Sequence, residues 1–593
     1  MTDRRFSAPD LARRLLAPIA ALLGLVAGLS VLILPSPAPT TADPTTFSAE
    51  RAMASINRLA DEPHSVLRRE AHDRARDDVV GMFTDLGYTP TVHSDPLFDF
   101  SIPEDKETFD MLSTEQQAAV KDATADTIVV DVPGKSERTM ALMAHYDSAT
   151  VEGTENDEQS YSSGTSHGAA DDGYGVAAII ETLRAIKAEG RQPENSLKIV
   201  ITDGEEIGLV GARNEMRHHR ADYENVDLVL NLEARGMSGP AFMFETSPNN
   251  SAVAGYFLSH VKQPVTGSLL PSLYARMPNT TDMAKVIPEG FTVLNIAAIG
   301  EADHYHHATD APRYVNHSTL QHYGDQVLDL TRAWAFDGQT PTLTANGDLH
   351  FFQLWRGMTV SYPATVGTGL GCLAIIAALG VVVVRARSLR WKRVLGTVWG
   401  LTWRAASVSA AAGLVQLGAM AMKWAPETGI GPNPLLPWMF AGGALIGAGL
   451  TAHFVVRRWK EGLGQETLAA VLLLLAAACV PLMVLLPGAA YVLVLPTLTL
   501  ALTALAPQRV RPAVGALEAF IMVVIFAPTV LLIHELLSLS AVWVTVFFAI
   551  VPVAPLALVL LQAGSRRTAS GAGTVSGSAS DDAPVAGPVT ATA

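Results

Sequence analysis

The organisation of this chain follows from one stretch of sequence, Ser196-Leu-Lys-Ile-Val-Ile-Thr-Asp-Gly-Glu-Glu-Ile-Gly-Leu209. Its apolar, β-branched run at 199–201 predicts a buried strand. The run breaks at Asp203-Gly204, and two adjacent carboxylates, Glu205 and Glu206, follow where the chain turns toward a helix. Ligands of open α/β sheets bind at this edge, outside the carboxyl ends of the strands. Acidic residues are also common in the first turn of a helix. The pair alone therefore does not indicate a binding site, and other residues must support that interpretation.

Composition limits the class of protein. A chain of 593 residues is too long for one compact domain, and 49% hydrophobic residues indicate a membrane portion. The net charge of −15 argues against a nucleic-acid partner. The two cysteines, Cys372 and Cys479, both lie in apolar runs, which argues against a disulfide scaffold and against a thiolate metal site.

The N-terminal region predicts a membrane anchor. Residues 1–14 are basic, and the apolar residues 15–34 are about as many as a helix needs to cross a bilayer. A secretory signal peptide is the competing interpretation. The run is long for a signal peptide, and Pro35-Ser-Pro-Ala-Pro is a poor cleavage site, so an uncleaved anchor is favoured. A Pro/Thr-rich linker at 35–46 then leads to a polar domain at 47–340.

The polar domain alternates strand and helix patterns. Strands are predicted at 127–132, 139–144, 197–202, 226–232, 241–245 and 292–297, and helices at 174–188, 209–220, 252–261 and 319–335. This order predicts an α/β fold with a mixed, mostly parallel sheet flanked by helices. The acidic stretch 98–125 has a weak strand signal and is interpreted as an insertion over the sheet edge.

Residues 362–563 predict an all-α, seven-helix transmembrane domain. Its apolar segments are 364–384, 394–417, 435–456, 467–486, 489–505, 514–536 and 541–561. Basic loops follow the first, third, fifth and seventh segments, so the positive-inside rule places them in the cytoplasm with the basic N-terminus. The polar domain is then extracytoplasmic in a multi-pass plasma membrane protein. Both termini are cytoplasmic, and the tail 564–593 is predicted to be disordered.

Five motifs of the polar domain carry metal-binding side chains. They are His145-Tyr-Asp147, Gly168-Ala-Ala-Asp171-Asp-Gly, Glu205-Glu206, Asn231-Leu-Glu233 and Tyr305-His306-His307-Ala-Thr-Asp310. Each alone has an ordinary explanation: His145 as a core histidine, for example, or Asp171 as a helix cap. Arriving in order, most of them close to a strand, they match what two zinc ions require. Each ion takes nitrogen or oxygen ligands and keeps a position open for water. A shared carboxylate holds the ions roughly 3.5–4 Å apart.

These motifs resemble the co-catalytic zinc exopeptidase family, which includes bacterial leucyl aminopeptidase, glutamate carboxypeptidase and the glutaminyl cyclases. The resemblance covers residues 50–335. An anchor before the domain and several spans after it are similar to the branch of vacuolar membrane protease and endoplasmic reticulum metallopeptidase. The family often has Asp where Glu233 stands, and Glu is similar to the membrane-protease branch.

The resemblance implies a role for each matching position. It implies two zinc ions per chain, one bound by His145 and Glu233 and the other by Glu206 and His306, with Asp171 bridging them. His306 is preferred to His307 because it follows Tyr305 with the spacing of the family motif. Glu205 is implied as the general base and acid, and Asp147 as the support of His145.

The function expected from this resemblance is a membrane-bound zinc metallopeptidase that hydrolyses peptide bonds, foremost an aminopeptidase. A carboxypeptidase or dipeptidase of the same family is the alternative, with Arg235 or Arg276 available for a free carboxylate. A receptor or transporter with an inactive peptidase-like domain is the non-enzymatic alternative. Peptide substrate and lipid bilayer are the expected partners, and the sequence carries no signal for an oligomeric state.

Overall fold

The structure is a computed structural model that describes residues 8–151, 161, 163–276, 280–337, 343, 346–421, 436–537 and 542–564. Part of the predicted cytoplasmic N-terminus, residues 1–7, lies outside the described residues, as does the predicted disordered tail from residue 565. Residue 435, where the third apolar segment was expected to begin, also lies outside them.

A seven-stranded sheet forms the centre of the polar domain. The strands are β1 Thr91–Pro96, β2 Thr124–Val132, β3 Ser136–His145, β4 Asn195–Thr202, β5 Val226–Ala234, β6 Ser238–Thr246 and β7 Val293–Gly300. Their spatial order is β1-β2-β4-β3-β5-β7-β6. The central pairs β4–β3, β3–β5 and β5–β7 are parallel, whereas β1–β2, β2–β4 and β6–β7 are antiparallel. The predicted mixed sheet with a parallel centre is confirmed.

One group of helices covers this sheet, and a second group forms the membrane part. Those before the last hairpin are α1 Ala8–Leu29, α2 Ala49–Leu59, α3 Arg69–Asp85, α4 Pro103–Met111, α5 Thr114–Val120, α6 Gly173–Ala188, α7 Val210–His218, α8 Ser251–His260, α9 Leu269–Tyr274, α10 Met283–Val286 and α11 His317–Phe336. A hairpin of β8 Leu349–Trp355 and β9 Met358–Pro363 follows. The later helices are α12 Ala364–Arg385, α13 Trp391–Ala421, α14 Leu436–Lys460, α15 Gly464–Leu485, α16 Tyr491–Leu505, α17 Arg511–Leu537, α18 Val542–Ile550 and α19 Val553–Gly564.

The sheet is covered on both faces because successive side chains of a strand point to opposite sides. Leu142 and Ile199 face one side and pack against α2, α6 and α11. Met143 and Val200 face the other side and pack against α7 and α10. This double burial explains why the central strands read as continuous apolar runs in the sequence.

Two parts of the polar domain differ from expectation. Strand β1 was not expected, because Thr91-Val-His-Ser-Asp-Pro96 is mostly polar. It lies at the edge of the sheet, where a strand is partly exposed to solvent and polar residues are tolerated. The stretch 98–125 contains the short helices α4 and α5, and β2 already begins at Thr124. Helix α5 is started by a capping box between Ser113 and Gln116.

The C-terminal part is helical, as expected. Within the described residues, five helices are long and apolar enough to cross a membrane, at Ala12–Leu32, Ala364–Ser388, Gly464–Leu485, Arg511–Ile533 and Val544–Gln562, and Tyr491–Leu505 is a shorter apolar helix. The last of these spans is interrupted at Val551-Pro552, between α18 and α19. The predicted number of eight spans remains a prediction.

The polar domain contacts one end of this bundle. Ser268 Oγ donates a hydrogen bond to the carbonyl oxygen of Gly488, in the turn between α15 and α16, at 2.6 Å. Phe352 of β8 stacks on Tyr491, with ring centroids 4.9 Å apart. At the opposite end, Arg385 donates to the carbonyl oxygen of Ala504 at 2.8 Å. The basic loop that begins at Arg385 and the polar domain therefore lie at opposite ends of α16.

Candidate metal centre

The parallel strands bring the sequence motifs to one edge of the sheet. His145 is the last residue of β3, and Glu233 is the penultimate residue of β5. Glu205 and Glu206 begin a short 3₁₀ turn after β4, and His306 follows β7. Asp171 lies just before α6, which begins after the N-cap Asp172. The Asp171–Asp172 peptide bond is cis.

One set of side chains consists of His145, Asp171 and Glu233. His145 Nε2 lies 3.3 Å from Asp171 Oδ1 and 3.9 Å from Glu233 Oε2. His145 Nδ1 lies 3.0 Å from the backbone carbonyl oxygen of Asp147, which can only accept, so Nδ1 carries the proton. Nε2 therefore faces two carboxylates, an arrangement that needs a proton or a cation between them.

A second set consists of Asp171, Glu206 and His306. His306 Nε2 lies 3.3 Å from Asp171 Oδ2 and 3.1 Å from Glu206 Oε2. The two sets therefore share Asp171, which presents one oxygen to each histidine. Asp171 Oδ2, Glu206 Oε1 and both ring nitrogens of His306 are buried without a hydrogen-bond partner among the residues that the structure describes. Buried polar atoms are rarely left unsatisfied, so these atoms fit a cation that they would share.

Glu205 lies beside both sets. Its carboxylate, that of Glu206 and a nitrogen of His145 lie within 4.8 Å of one another. Burial raises the pKa of Glu205 well above its ordinary value, and the negative charges of Glu233 and Glu206 act in the same direction. Glu205 is therefore suited to hold and release a proton near neutral pH when a nearby positive charge offsets part of this shift.

The turn that carries the two glutamates is fixed by Asp147. The Asp147 carboxylate accepts hydrogen bonds from the backbone amides of Glu205 and Glu206 at 3.1 and 3.2 Å. It also lies 3.5 Å from His145 Nδ1. Gly211, in the first turn of α7, allows this turn to close. A Cβ there would lie 2.6 Å from the backbone nitrogen of Asp203.

The charges of the centre shift the pKa values of its members in opposite directions. Burial raises the pKa of Asp171, but the nearby imidazoles of His145 and His306 outweigh this effect and lower it below its ordinary value. Burial alone would lower the pKa of His306, but Glu206 and Asp171 raise it to about 10. Burial raises the pKa of Glu206 to about 7. The carboxylates and imidazoles of the centre thus offset part of one another's charge.

Sequence reasoning missed two supporting carboxylates. Asp310 accepts hydrogen bonds from the backbone amide of Ala170 at 2.7 Å and from Ser166 Oγ at 3.2 Å, and so orders the turn before Asp171. Asp282 accepts a hydrogen bond from Thr202 Oγ1 at 2.5 Å, and burial raises its pKa to about 6. Asp310 ended a motif singled out in the sequence, whereas Asp282 lies outside every predicted strand, helix and motif.

A third missed group lies beneath the glutamate turn. Asp203 accepts hydrogen bonds from Tyr146 Oη at 2.9 Å and from the backbone amide of Asp126 at 2.7 Å, and it lies 3.1 Å from His72 Nε2. All of these side chains are buried. Burial raises the pKa of Asp203, but the charge of His72 and its hydrogen bond lower it below the ordinary value overall.

Asp203→Ala is expected to lower the free energy of unfolding by about 3–5 kcal/mol, because it leaves buried partners of a carboxylate unpaired. Thermal unfolding of the purified protein in detergent measures the change. Asp78→Ala is the matched control, since the Arg58–Asp78 pair is more than a third exposed and surface pairs contribute about 0–1 kcal/mol. Equal effects of the two variants would contradict a structural role for Asp203.

Other histidines near the centre have different partners. His167 Nδ1 lies 2.9 Å from the backbone carbonyl oxygen of Ala60, and His304 Nδ1 lies 3.1 Å from that of Thr309. Of the two adjacent histidines, His306 is the one whose ring reaches Asp171 and Glu206. Its ring stacks on Tyr305, with centroids 3.6 Å apart.

Fold and centre together place two histidines and four carboxylates at one edge of an α/β sheet. Residues 127–331 match the model of Peptidase family M28, which confirms the resemblance stated from the motifs. The chain is 28% identical over 210 residues to a vacuolar membrane protease of Lodderomyces elongisporus, a match that covers 35% of this chain and 20% of the relative. It is 25% identical over 340 residues to a vacuolar membrane protease of Saccharomyces cerevisiae, covering 53% of this chain and 32% of the relative.

These matches span less than a third of the length of either curated relative. Among solved structures, a zinc aminopeptidase from Bacillus subtilis is similar at a TM-score of 0.38 and 13% identity, over 50% of this chain and 98% of that one. Porphyromonas gingivalis glutaminyl cyclase is similar at a TM-score of 0.36 and 17% identity, over 48% of this chain and 98% of that one. With its apolar helices and its relatives, the chain is a membrane protein.

Proposed function

We propose that the chain is a zinc-dependent membrane peptidase that removes single residues from peptides, foremost as an aminopeptidase. The observation that supports this most is the position of Asp171 between two histidine–carboxylate sets. Nitrogen and carboxylate oxygen are the donors that zinc takes in catalytic sites. An inactive receptor domain would have no reason to keep all of these groups buried and converging.

His145 and Glu233 would hold one zinc ion, Glu206 and His306 the other, and Asp171 would bridge them. Zinc bound there supplies Lewis acidity, which makes water more acidic and polarises a carbonyl group. The protein's own part is to hold these ligands deprotonated and oriented. The Asp147 carbonyl oxygen orients the His145 ring by accepting from Nδ1 at 3.0 Å, and Asn231 Nδ2 donates to the Glu233 carboxylate at 3.2 Å.

Glu205 acts as the proton carrier in this proposal. It takes a proton from the attacking water, whose oxygen forms a bond to the scissile carbonyl carbon. It then gives the proton to the leaving amine as the C–N bond breaks. Its adjacency to the ligand Glu206 places it beside the reacting atoms.

The acidic character of the centre favours a substrate with a free amine. Glu205, Glu206, Glu233, Asp171 and Asp282 are all within the charge environment of His145. One observation favours the carboxypeptidase alternative: the Arg235 guanidinium lies 5.6 Å from the ring centroid of Tyr305, next to His306. A guanidinium is a suitable partner for a substrate carboxylate.

Blocked dipeptides distinguish these activities. The full chain, purified in detergent, is assayed with a free dipeptide, an amino-blocked one and a carboxyl-blocked one, with and without a chelator. An aminopeptidase is expected to cleave the free and carboxyl-blocked peptides only, and to lose activity with the chelator. Cleavage of the amino-blocked peptide alone would establish a carboxypeptidase, and no cleavage of any peptide would contradict the proposal.

Zinc affinity of the chelator-treated protein is expected to rise with pH between about 7 and 10. Glu206 holds a proton below about pH 7 and His306 holds one below about pH 10. Zinc must displace both protons, so its affinity increases as the pH rises. Isothermal titration in buffers of different ionisation enthalpy measures the protons released. An affinity that does not change with pH would show that zinc binds elsewhere.

The proposed location is a plasma membrane, with the peptidase domain at 47–340 outside the cytoplasm and the domain at 362–563 in the bilayer. The position of the polar domain at the end of the bundle opposite Arg385 supports this orientation. An uncleaved anchor at 15–34 is supported by packing: a Cβ at Gly24 would lie 2.7 Å from the Phe520 carbonyl oxygen. Helices α1 and α17 thus approach closely through small residues.

A further inference from the structure

A second group of metal-binding side chains lies away from the candidate metal centre. His93 on the edge strand β1 and Glu215 and His219 at the end of α7 offer ligand atoms that lie within 4.8 Å of one another. Helix α7 begins just after the glutamate turn, and its nine residues rise about 13 Å along the axis. The second group is therefore at the far end of the helix from Glu205 and Glu206.

The contacts within this group are those of a converging ligand set. His93 Nδ1 lies 2.9 Å from Glu215 Oε1, and His219 Nε2 lies 2.9 Å from Asp95 Oδ2. The two imidazole rings stack with centroids 3.9 Å apart and an angle of 17° between their planes. Both rings therefore lie within reach of the Glu215 carboxylate and can offer nitrogen ligands to the same ion.

Burial also distinguishes the group from an ordinary surface ion pair. The Glu215 side chain is only 1% exposed, and its second oxygen accepts a hydrogen bond from Tyr223 Oη at 2.7 Å. The side chains of His93 and His219 are 15% and 26% exposed, so solvent reaches the group from one side only. A buried carboxylate with two histidines beside it is a suitable binding site for a cation.

We propose that His93, Glu215 and His219 bind a divalent transition-metal ion, with Asp95 orienting the His219 ring. Asp95 accepts from Nε2, which leaves the lone pair of Nδ1 for the metal, as carboxylates do behind metal-bound histidines. Two imidazoles and a carboxylate suit zinc and similar ions, whereas calcium and magnesium prefer oxygen ligands alone.

The consequence is structural. Strand β1 has β2 as its one neighbour in the sheet, and helix α7 lies against the face of the sheet. An ion held by both would join the edge strand to the helix that begins at the glutamate turn. Since an ion that binds only the folded state adds its binding free energy to stability, this ion stabilises the domain without taking part in the reaction.

Metal analysis of the full chain in detergent tests the proposal. The double variant His93→Gln/His219→Gln is expected to contain one metal ion per chain fewer than the unchanged protein. This difference does not depend on how many ions the candidate metal centre holds, so it stands or fails separately from the proposed function. His317→Gln is the matched control, because His317 is 39% exposed and forms a 2.7 Å ion pair with Glu50 alone. Equal metal content in the protein and the double variant would overturn the proposal.

A milder variant covers the case in which the double variant does not fold. His219→Asn alters the most exposed ligand and is expected to weaken cobalt(II) binding at this site by about 10-fold or more. Cobalt is added to chelator-treated protein, and its visible absorption is titrated. The unchanged protein is expected to show one absorption component more than His219→Asn at low cobalt concentration. Identical titrations of the two proteins would overturn the proposal.

Discussion

Glu205→Gln is expected to lower kcat by roughly 10²- to 10⁴-fold, the share that a general acid–base group contributes, while the zinc content stays unchanged. The amide matches the carboxylate in size but carries no charge at neutral pH and does not accept a proton from water. Because the Asp147 carboxylate binds the backbone amides of the turn rather than the Glu205 side chain, the turn is expected to keep its shape.

Steady-state kinetics and metal analysis of the same preparation measure the two effects. Glu206→Gln is the informative companion, since it changes the adjacent residue by the same chemistry. In that variant the second set loses a ligand, so both metal content and activity are expected to fall. Full turnover by Glu205→Gln would remove Glu205 from the proposed reaction, and loss of metal from it would make Glu205 a ligand.

Asp171→Asn is expected to have the largest effect on metal binding. Asp171 presents one oxygen to each histidine, and an amide offers one oxygen and an NH₂ group that repels a cation. Both sets are therefore weakened at once, by more than the roughly 10- to 100-fold that a supporting residue contributes. Zinc content by metal analysis and zinc affinity by titration measure the loss.

The neighbouring residue supplies a matched control. Asp172 is also buried, but its side chain caps α6 by accepting from the Gly175 amide at 3.0 Å, and asparagine caps helices equally well. Asp172→Asn is therefore expected to bind nearly as much zinc as the unchanged protein. Equal losses in the two variants would indicate that the turn, and not the carboxylate of Asp171, is what matters.

The polar domain is joined to the membrane helices close to the candidate centre. Helix α9 carries Ser268 at its start, which binds the turn at Gly488, and ends at Tyr274. Burial raises the pKa of Tyr274, and the charges of Glu245 and Glu233 add to the effect, which places its hydroxyl within their field. Helix α9 therefore lies between the turn at Gly488 and the neighbourhood of Glu233.

The sequence by itself determined the class of fold and the members of the centre. Buried parallel strands are apolar over their whole length. Their ends can therefore be recognised in the sequence where Asp, Glu or His interrupts the apolar run. The topology of such sheets brings those ends together, which is why His145, Glu206 and Glu233 were assigned without coordinates. Membrane helices were visible for the same reason, since each needs a long apolar run.

The tertiary structure alone decided what depends on contacts between distant segments. It showed that Asp171 lies between His145 and His306, that Asp203 supports the glutamate turn from β4, and that β1 meets the end of α7. The local sequence does not indicate such pairings. A polar residue at a strand edge has the same sequence neighbours whether its side chain faces water or a histidine more than 100 residues away in the chain. Only the three-dimensional packing of the elements brings these partners together.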